Sequence, residues 1–213
     1  MLLAFDTATP YVTVALHDGE DVVAERRSEQ RMRHGEQLAP LIEAVMADAG
    51  IVRQDLTAIA VGVGPGPFTG LRVGLVTART LAFVLELPVY GVCSLDVVAI
   101  EAALGRSPVG TEFTVATDAR RKEVYLATYD DEGRRQDGPD VVRPQEAATG
   151  HPVAGEGAVL YPEAFPDARE PRLPSAGWLA RAVAEELAEL HDPDPMYLRR
   201  PDAVAPGAPK RVS

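Results

Sequence analysis

Two segments of this chain carry residue types that could handle an anion. The first is Asp6-Thr7-Ala8-Thr9, a set of small hydrogen-bonding residues that follows the apolar run Leu2 to Phe5. Its amides and hydroxyls could hold a phosphate, and Asp6 could hold a metal-bound water. The same residues could equally close a hairpin on their own as an Asx or Ser/Thr turn. The second segment is Gly62-Val63-Gly64-Pro65-Gly66-Pro67-Phe68-Thr69-Gly70-Leu71-Arg72-Val73-Gly74. It lies between a strand pattern and a helix pattern, where bare amides and a helix N-terminus can receive an anion. It has no Gly-Lys-Ser/Thr and the wrong glycine spacing for Gly-x-Gly-x-x-Gly, so it is neither a Walker loop nor a dinucleotide fingerprint. Physical chemistry alone favours a tight turn whose glycines admit another backbone closely. Gly66, Gly70 and Gly74 recur every four residues and so share a helical face, one that suits docking on a helix better than solvent.

Other chemistries find less support. The histidines His17, His34, His151 and His191 contain no pair at helical spacing, which argues against a metal site. His34 stands near a helix start, where capping or surface duty is the plain expectation. Ser94 lacks the Gly-x-Ser-x-Gly elbow of a nucleophilic hydrolase. Cys93 is the single cysteine and forms no internal disulfide. Asp118-Ala119-Arg120-Arg121-Lys122-Glu123 reads as a mixed-charge, solvated turn. Arg199 and Arg200, set between Pro195 and Pro201, read as salt-bridge partners in an acidic chain.

These residues need elements to place them. Leu2–Phe5 and the alternating Val12, Val14 and Leu16 predict a hairpin, and Val22–Glu25 a third strand. Leu38, Leu41, Ile42, Val45 and Met46 fall at helical spacing up to Gly50, with Pro40 either starting that helix near Gln37 or kinking it. Ile59–Val63 predicts a buried strand, Thr69–Leu87 a second helix and Val89–Val92 another strand. Phe113–Thr117 and Glu123–Tyr129 repeat the opening hairpin: Asp6 and Asp118, Val12 and Val124, and Asp18 and Asp130 stand at one common offset. That register predicts two related halves. A further helix is expected over Ala176–Leu190, and an extended tail from Asp192 with loose last residues. The 213 residues are 46% hydrophobic and 25% charged, as in globular proteins, and a net charge of −11 argues against gripping nucleic acid by bulk charge. No run of ~18 uninterrupted apolar residues occurs and no basic leader precedes Asp6, so a cytoplasmic protein without a membrane span is expected.

Gly64 to Gly74 resembles the hallmark of the TsaB (YeaZ) family of bacterial tRNA-threonylcarbamoyladenosine factors. Asp6-Thr7-Ala8-Thr9, His34 to Leu41, Asp118 to Tyr125 and Pro195-Met196-Tyr197-Leu198-Arg199 also match, in order along nearly the whole chain. Pro67 departs from the family's usual serine. The resemblance implies an α/β protein with an actin-like ATPase (ribonuclease H-like) fold. Its two lobes, 1–103 and 104–213, would include a shortened second one with a Pro-rich tail. It also implies a non-catalytic activator that binds the paralogue TsaD and the ATPase TsaE. In that complex TsaD transfers threonylcarbamoyl to adenosine 37 of tRNAs reading codons that begin with A. The histidine pair that holds the TsaD metal is missing here, and tRNA would be met only through the complex. Family dimer contacts run through the first two helices, which nominates Leu38, Leu41, Ile42, Val45, Gly70, Leu71, Gly74 and Ala78 as a partner interface. The same face would make a homodimer of the isolated chain. No cofactor is required, ATP or ADP belongs at the complex interface, and Asp6, Thr7 and Thr9 are the residues nominated for it. The alternative is a stand-alone small-molecule kinase or ATPase. Against it stand the short second half and the lack of an adenosine-binding Gly-Gly segment, for which Gly155-Glu156-Gly157 is a poor substitute.

Overall fold

The computed structural model describes residues 1–199. Strands β1 (Leu2–Asp6), β2 (Thr13–His17) and β3 (Val22–Arg27) form an antiparallel meander. Helix α1 (His34–Asp48) crosses to β4 (Ala58–Gly64), which lies parallel to β1, and α2 (Phe68–Leu85) crosses to β5 (Val89–Cys93), parallel to β4. Helix α3 (Ser94–Leu104) leads to the second sheet: β6 (Phe113–Asp118), β7 (Val124–Tyr129), β8 (Arg135–Val142), β9 (Val153–Ala154), the short α4 (Glu156–Leu160) and β10 (Ala168–Arg169). Helix α5 (Ala176–Ala184) follows.

The sheet orders are β3-β2-β1-β4-β5 and β8-β7-β6-β9-β10, with matching parallel and antiparallel pairs. The offset between the two hairpins is therefore a repeat of whole topology. The second copy is reduced: β9 and β10 have two residues each, and α4 has five where α2 has 18.

Strand β1 is buried on both faces. Leu3 and Phe5 join Leu38, Ile42 and Val45 of α1 and Leu71, Leu75 and Ala78 of α2 in one core. Ala4 points the other way, with Ala60 and Val92, against Ile100 of α3 and Leu179 of α5. Small side chains on that face let α5 lie close to the sheet. Each large aliphatic side chain so buried contributes ~1.5–3 kcal/mol.

Several elements differ from the sequence expectations. Helix α3 had no periodic signal, because all its residues from Ser94 to Ala103 except Glu101 are buried, between the two lobes. Strands β8 to β10 lie in a polar, Pro- and Gly-rich stretch that gave no strand pattern. Helix α1 begins at His34 and runs through Pro40, and α5 ends at Ala184, short of Leu190. Although Arg72 and Arg79 interrupt it, α2 has the length and mean hydropathy (18 residues, 1.4) of a membrane-crossing helix; its inner face packs on the sheet.

From His191 to Arg199 the chain is an extended strap across both lobes. His191 and Gly91 exchange backbone hydrogen bonds of 2.8 and 2.9 Å, and the Met196 amide donates to the Val63 carbonyl at 2.8 Å. Arg199 then donates to the Ala119 carbonyl at 3.2 Å and pairs with Glu123, the ion pair expected for it. The expected pairing of Arg200 and the loose end of the tail lie outside the described residues.

Candidate functional site

The Asp6-Thr7-Ala8-Thr9 loop leaves β1 beneath the N-terminal turns of α2. Asp6 is 1% exposed. The Ala8 amide donates to one carboxyl oxygen at 2.6 Å and the Ser94 hydroxyl to the other, also at 2.6 Å. Burial pushes this carboxyl above its usual range, against the pull of those two bonds and of His34. Gly62 faces it so closely that a Cβ there would stand 1.9 Å from the carboxyl oxygen. Thr7 is fully buried and donates to the Gly70 carbonyl at 2.9 Å. Thr9 closes a turn of its own, with its hydroxyl bonded to Tyr11. The loop is thus a hydrogen-bonded turn whose polar atoms serve the chain itself.

The glycine face explains why the loop is sealed. A Cβ on Gly66 would stand 2.3 Å from the Ala8 carbonyl oxygen, one on Gly70 2.6 Å from that of Thr7, and one on Gly74 2.3 Å from the Thr7 hydroxyl. Helix α2 and the turn before it therefore rest directly on the β1–β2 loop. His34 secures the loop from the α1 side: it is buried, and its Nε2 donates to the Thr9 carbonyl at 2.7 Å. That is a loop-pinning role, not the capping or surface duty expected from sequence; a single histidine at a helix start carries no signal for it. The crevice between the lobes at this loop, lined by Thr9, Pro65, Ser94 and Asp118, encloses about 20 Å³, room for roughly one water. Of the residues nominated for a nucleotide, Asp6 and Thr7 are buried, and Thr9 is half-buried and lines that crevice.

The nominated interface residues lie mostly in the interior. Leu38, Ile42, Val45, Gly70, Leu71, Gly74 and Ala78 are all buried in this chain's own core, and Leu41 is half-buried. The period that marked them is the one that packs α1 and α2 on the sheet. The glycines bring α2 onto its own loop, not onto a second helix. What α2 leaves to solvent is the opposite stripe, where Val76 at 61%, Phe83 at 85% and Val84 at 68% exposure stand among Arg72, Arg79 and Thr80. Beside it a shallow groove of about 700 Å³ runs between α1 and α2, with Ile42, Met46, Val52 and Leu81 among its walls.

A buried polar junction between the lobes had no sequence signal, because its residues are far apart in the chain. Asp96, in the first turn of α3, accepts from the Tyr129 hydroxyl at 2.8 Å and lies 3.6 Å from the Arg135 guanidinium, which also meets Glu189 at 3.2 Å. Burial raises the Asp96 carboxyl above its usual range, opposed by Arg135. Among the described residues, no cluster of His, Cys, Asp and Glu has a metal-holding arrangement.

Comparison with known proteins places this geometry. A family model described as TsaD, tRNA N6-adenosine threonylcarbamoyltransferase, matches residues 21–163. An uncharacterized protein of Mycobacterium tuberculosis is 44% identical over 207 residues, covering 95% of this chain and 93% of that one. The tRNA threonylcarbamoyladenosine biosynthesis protein TsaB of Escherichia coli is 38% identical over 128 residues, 60% of this chain and 54% of TsaB. The solved structure of YeaZ from Pseudomonas aeruginosa superposes with a TM-score of 0.75 at 30% identity, covering 92% of this chain and 99% of that one. With the doubled five-stranded topology, the helix-filled loop and a full-length match of this kind, the chain belongs to the TsaB (YeaZ) family.

Proposed function

We propose that this chain is the non-catalytic partner subunit of the assembly that installs threonylcarbamoyl on adenosine 37 of tRNA, and that it acts by binding a TsaD paralogue. The observation that carries this reading is the contrast between the two sides of α2. The inner side fills the loop a kinase would use for phosphate, and the outer side offers Val76, Phe83 and Val84 to solvent. An apolar stripe exposed on one helix favours burial against another protein. In the isolated chain a second copy would take that place; in the complex TsaD does, with TsaE joining the pair. ATP or ADP belongs to the assembled junction, and tRNA is held through the complex. The sealed Asp6 loop and the crevice of about 20 Å³ speak against a stand-alone kinase.

The experiment is co-purification with the TsaD of the same organism, followed by an assay of tRNA modification with and without this chain. Phe83→Asp alters a side chain that is 85% exposed and so leaves urea stability within about 0.5 kcal/mol. It is expected to abolish co-purification and stimulation together. Full stimulation by Phe83→Asp would remove α2's outer stripe from the interface, and modification that proceeds equally without the chain would refute the partner role.

A further inference from the structure

Arg120 and Glu156 of the second lobe both line the crevice between the lobes, and each is reached from the β3–α1 loop of the first. The Arg31 guanidinium lies 3.8 Å from the Glu156 carboxylate, and the Met32 sulfur accepts from the Arg120 guanidinium at 3.9 Å. Both ends of the Met32 contact are anchored. The Met32 amide donates to the Pro10 carbonyl at 2.8 Å, which fixes its backbone to the β1–β2 loop. Asp118 accepts from the Arg120 amide at 2.8 Å and meets its guanidinium at 3.2 Å. The bond between the two is the weak link, because a thioether sulfur is a poor acceptor.

Met32 is also the sulfur most open to reagents. It is 55% exposed, whereas Met1 and Met46 pack against the first core and Met196 against both cores. The single thiol, Cys93, is fully buried and does not compete. Hydrogen peroxide converts a thioether to a sulfoxide. A sulfur lone pair attacks one peroxide oxygen, an S–O bond forms, the O–O bond breaks, and the second oxygen leaves as water. Sulfur loses two electrons and the peroxide gains them. The new oxygen carries partial negative charge and projects beyond the sulfur, so toward a guanidinium it makes a charge-assisted hydrogen bond. A sulfur-to-nitrogen separation of 3.9 Å suits a bent S–O···H–N arrangement.

We propose that Met32 is a reversible oxidation site, converted by hydrogen peroxide to the sulfoxide, and that the sulfoxide binds Arg120 and fastens the two lobes at the crevice. A thiol-dependent sulfoxide reductase restores it: two thiols supply two electrons and two protons, the oxygen leaves as water, and the thiols leave as a disulfide. The inference goes beyond the partner role and is tested on the isolated chain, so the two can fail separately. Dilute hydrogen peroxide followed by peptide mass spectrometry should oxidise Met32 at least about tenfold faster than Met46 or Met196 in the folded chain, with the difference lost in urea. Oxidation should slow exchange of the hydrogen-bonded amides of Met32, Ala119 and Glu123 at least about threefold, and reductase with dithiothreitol should restore the first rates. Met32→Leu should show no slowing after peroxide. Arg120→Ala should still be oxidised at Met32 and also show none, which separates the cross-lobe bond from a general effect of oxidation. Oxidation of Met32 no faster than of Met46 and Met196, exchange unchanged or faster in the sulfoxide, or equal slowing in Arg120→Ala would overturn the proposal.

Discussion

Gly74 tests whether the glycine face of α2 serves this chain's own loop or a partner's helix. A Cβ at Gly74 would stand 2.3 Å from the Thr7 hydroxyl oxygen but 3.5 Å from the Thr7 Cβ and Cγ2. The single obstacle is thus one oxygen, which is buried and engaged with the Gly70 carbonyl at 2.9 Å. Gly74→Ala must displace it by roughly 1 Å to reach ordinary contact, at an overpacking cost of about 1–3 kcal/mol. Against this, alanine in mid-helix is favoured over glycine by about 1 kcal/mol. The net expectation is a loss of up to about 2 kcal/mol. In a Thr7→Ala background the oxygen is gone and the remaining contact at 3.5 Å is unstrained. There Gly74→Ala should stabilise, by up to about 1 kcal/mol, so the sign of the effect inverts.

Urea denaturation of the four proteins of this double-mutant cycle reads the inversion directly, since the cost of Thr7→Ala itself cancels. A coupling of about 1–3 kcal/mol supports the close approach. The same midpoint shift in both backgrounds would refute it. So would a Gly74→Ala protein of unchanged stability that failed to bind TsaD, because that result would return the glycine face to the interface.

Three further outcomes follow from other contacts. A Cβ on Gly91 would stand 2.5 Å from a Val63 methyl and 2.8 Å from the Asp192 carbonyl oxygen, so Gly91→Ala should detach the strap. Hydrogen exchange at the His191 and Met196 amides should then speed up at least about tenfold, and unchanged protection would show that Gly91 does not hold it. Burial first, then the carboxylates of Glu25 and Glu170, push Glu101 from 4.5 up to about 7. A raised carboxyl favours the folded state fully below its unfolded value and loses that contribution as pH rises through about 7. Glu101→Gln should therefore match the parent near pH 4, exceed its stability near pH 8 and flatten the slope between; parallel profiles would contradict this. Burial pushes the Cys93 thiol up to about 12, so an aromatic disulfide reagent at pH 8 should react with it only after unfolding, and prompt reaction in the native state would count against its placement.

The sequence was legible where a physical period was at work. Leu71, Leu75, Ala78 and Ala82 marked the inner face of α2, because that helix has one wet side; the alternation around Val14 marked β2 although both its faces are buried, because Thr13, Ala15 and His17 on the second face are small or polar. Helix α3 has none, so its apolar run gave no phase to read. The glycines of α2 announced a close approach, yet their spacing is silent about what approaches. Both the loop beneath and a foreign helix satisfy the same pattern, and only the position of Thr7 decides between them. The Asp96 junction and His34 depend on pairings across the chain that no local window contains.

The duplicated topology makes the divergence of the halves informative. Asp6 and Asp118 end equivalent strands, β1 and β6. In the first half an 18-residue helix with a glycine face lies over the turn, and Gly62 and Ser94 enclose its aspartate. In the second, the corresponding helix α4 has five residues, and Asp118 stays half-buried and paired with Arg120. One architecture has thus closed at one end of its symmetry and stayed open at the other. The strap from His191 to Arg199 also ties the lobes together, through Gly91 and Val63 of the first and Ala119 of the second. A surface held in one geometry loses less entropy when a partner docks. The filled cleft and the exposed outer stripe of α2 are therefore two consequences of the same helix placement.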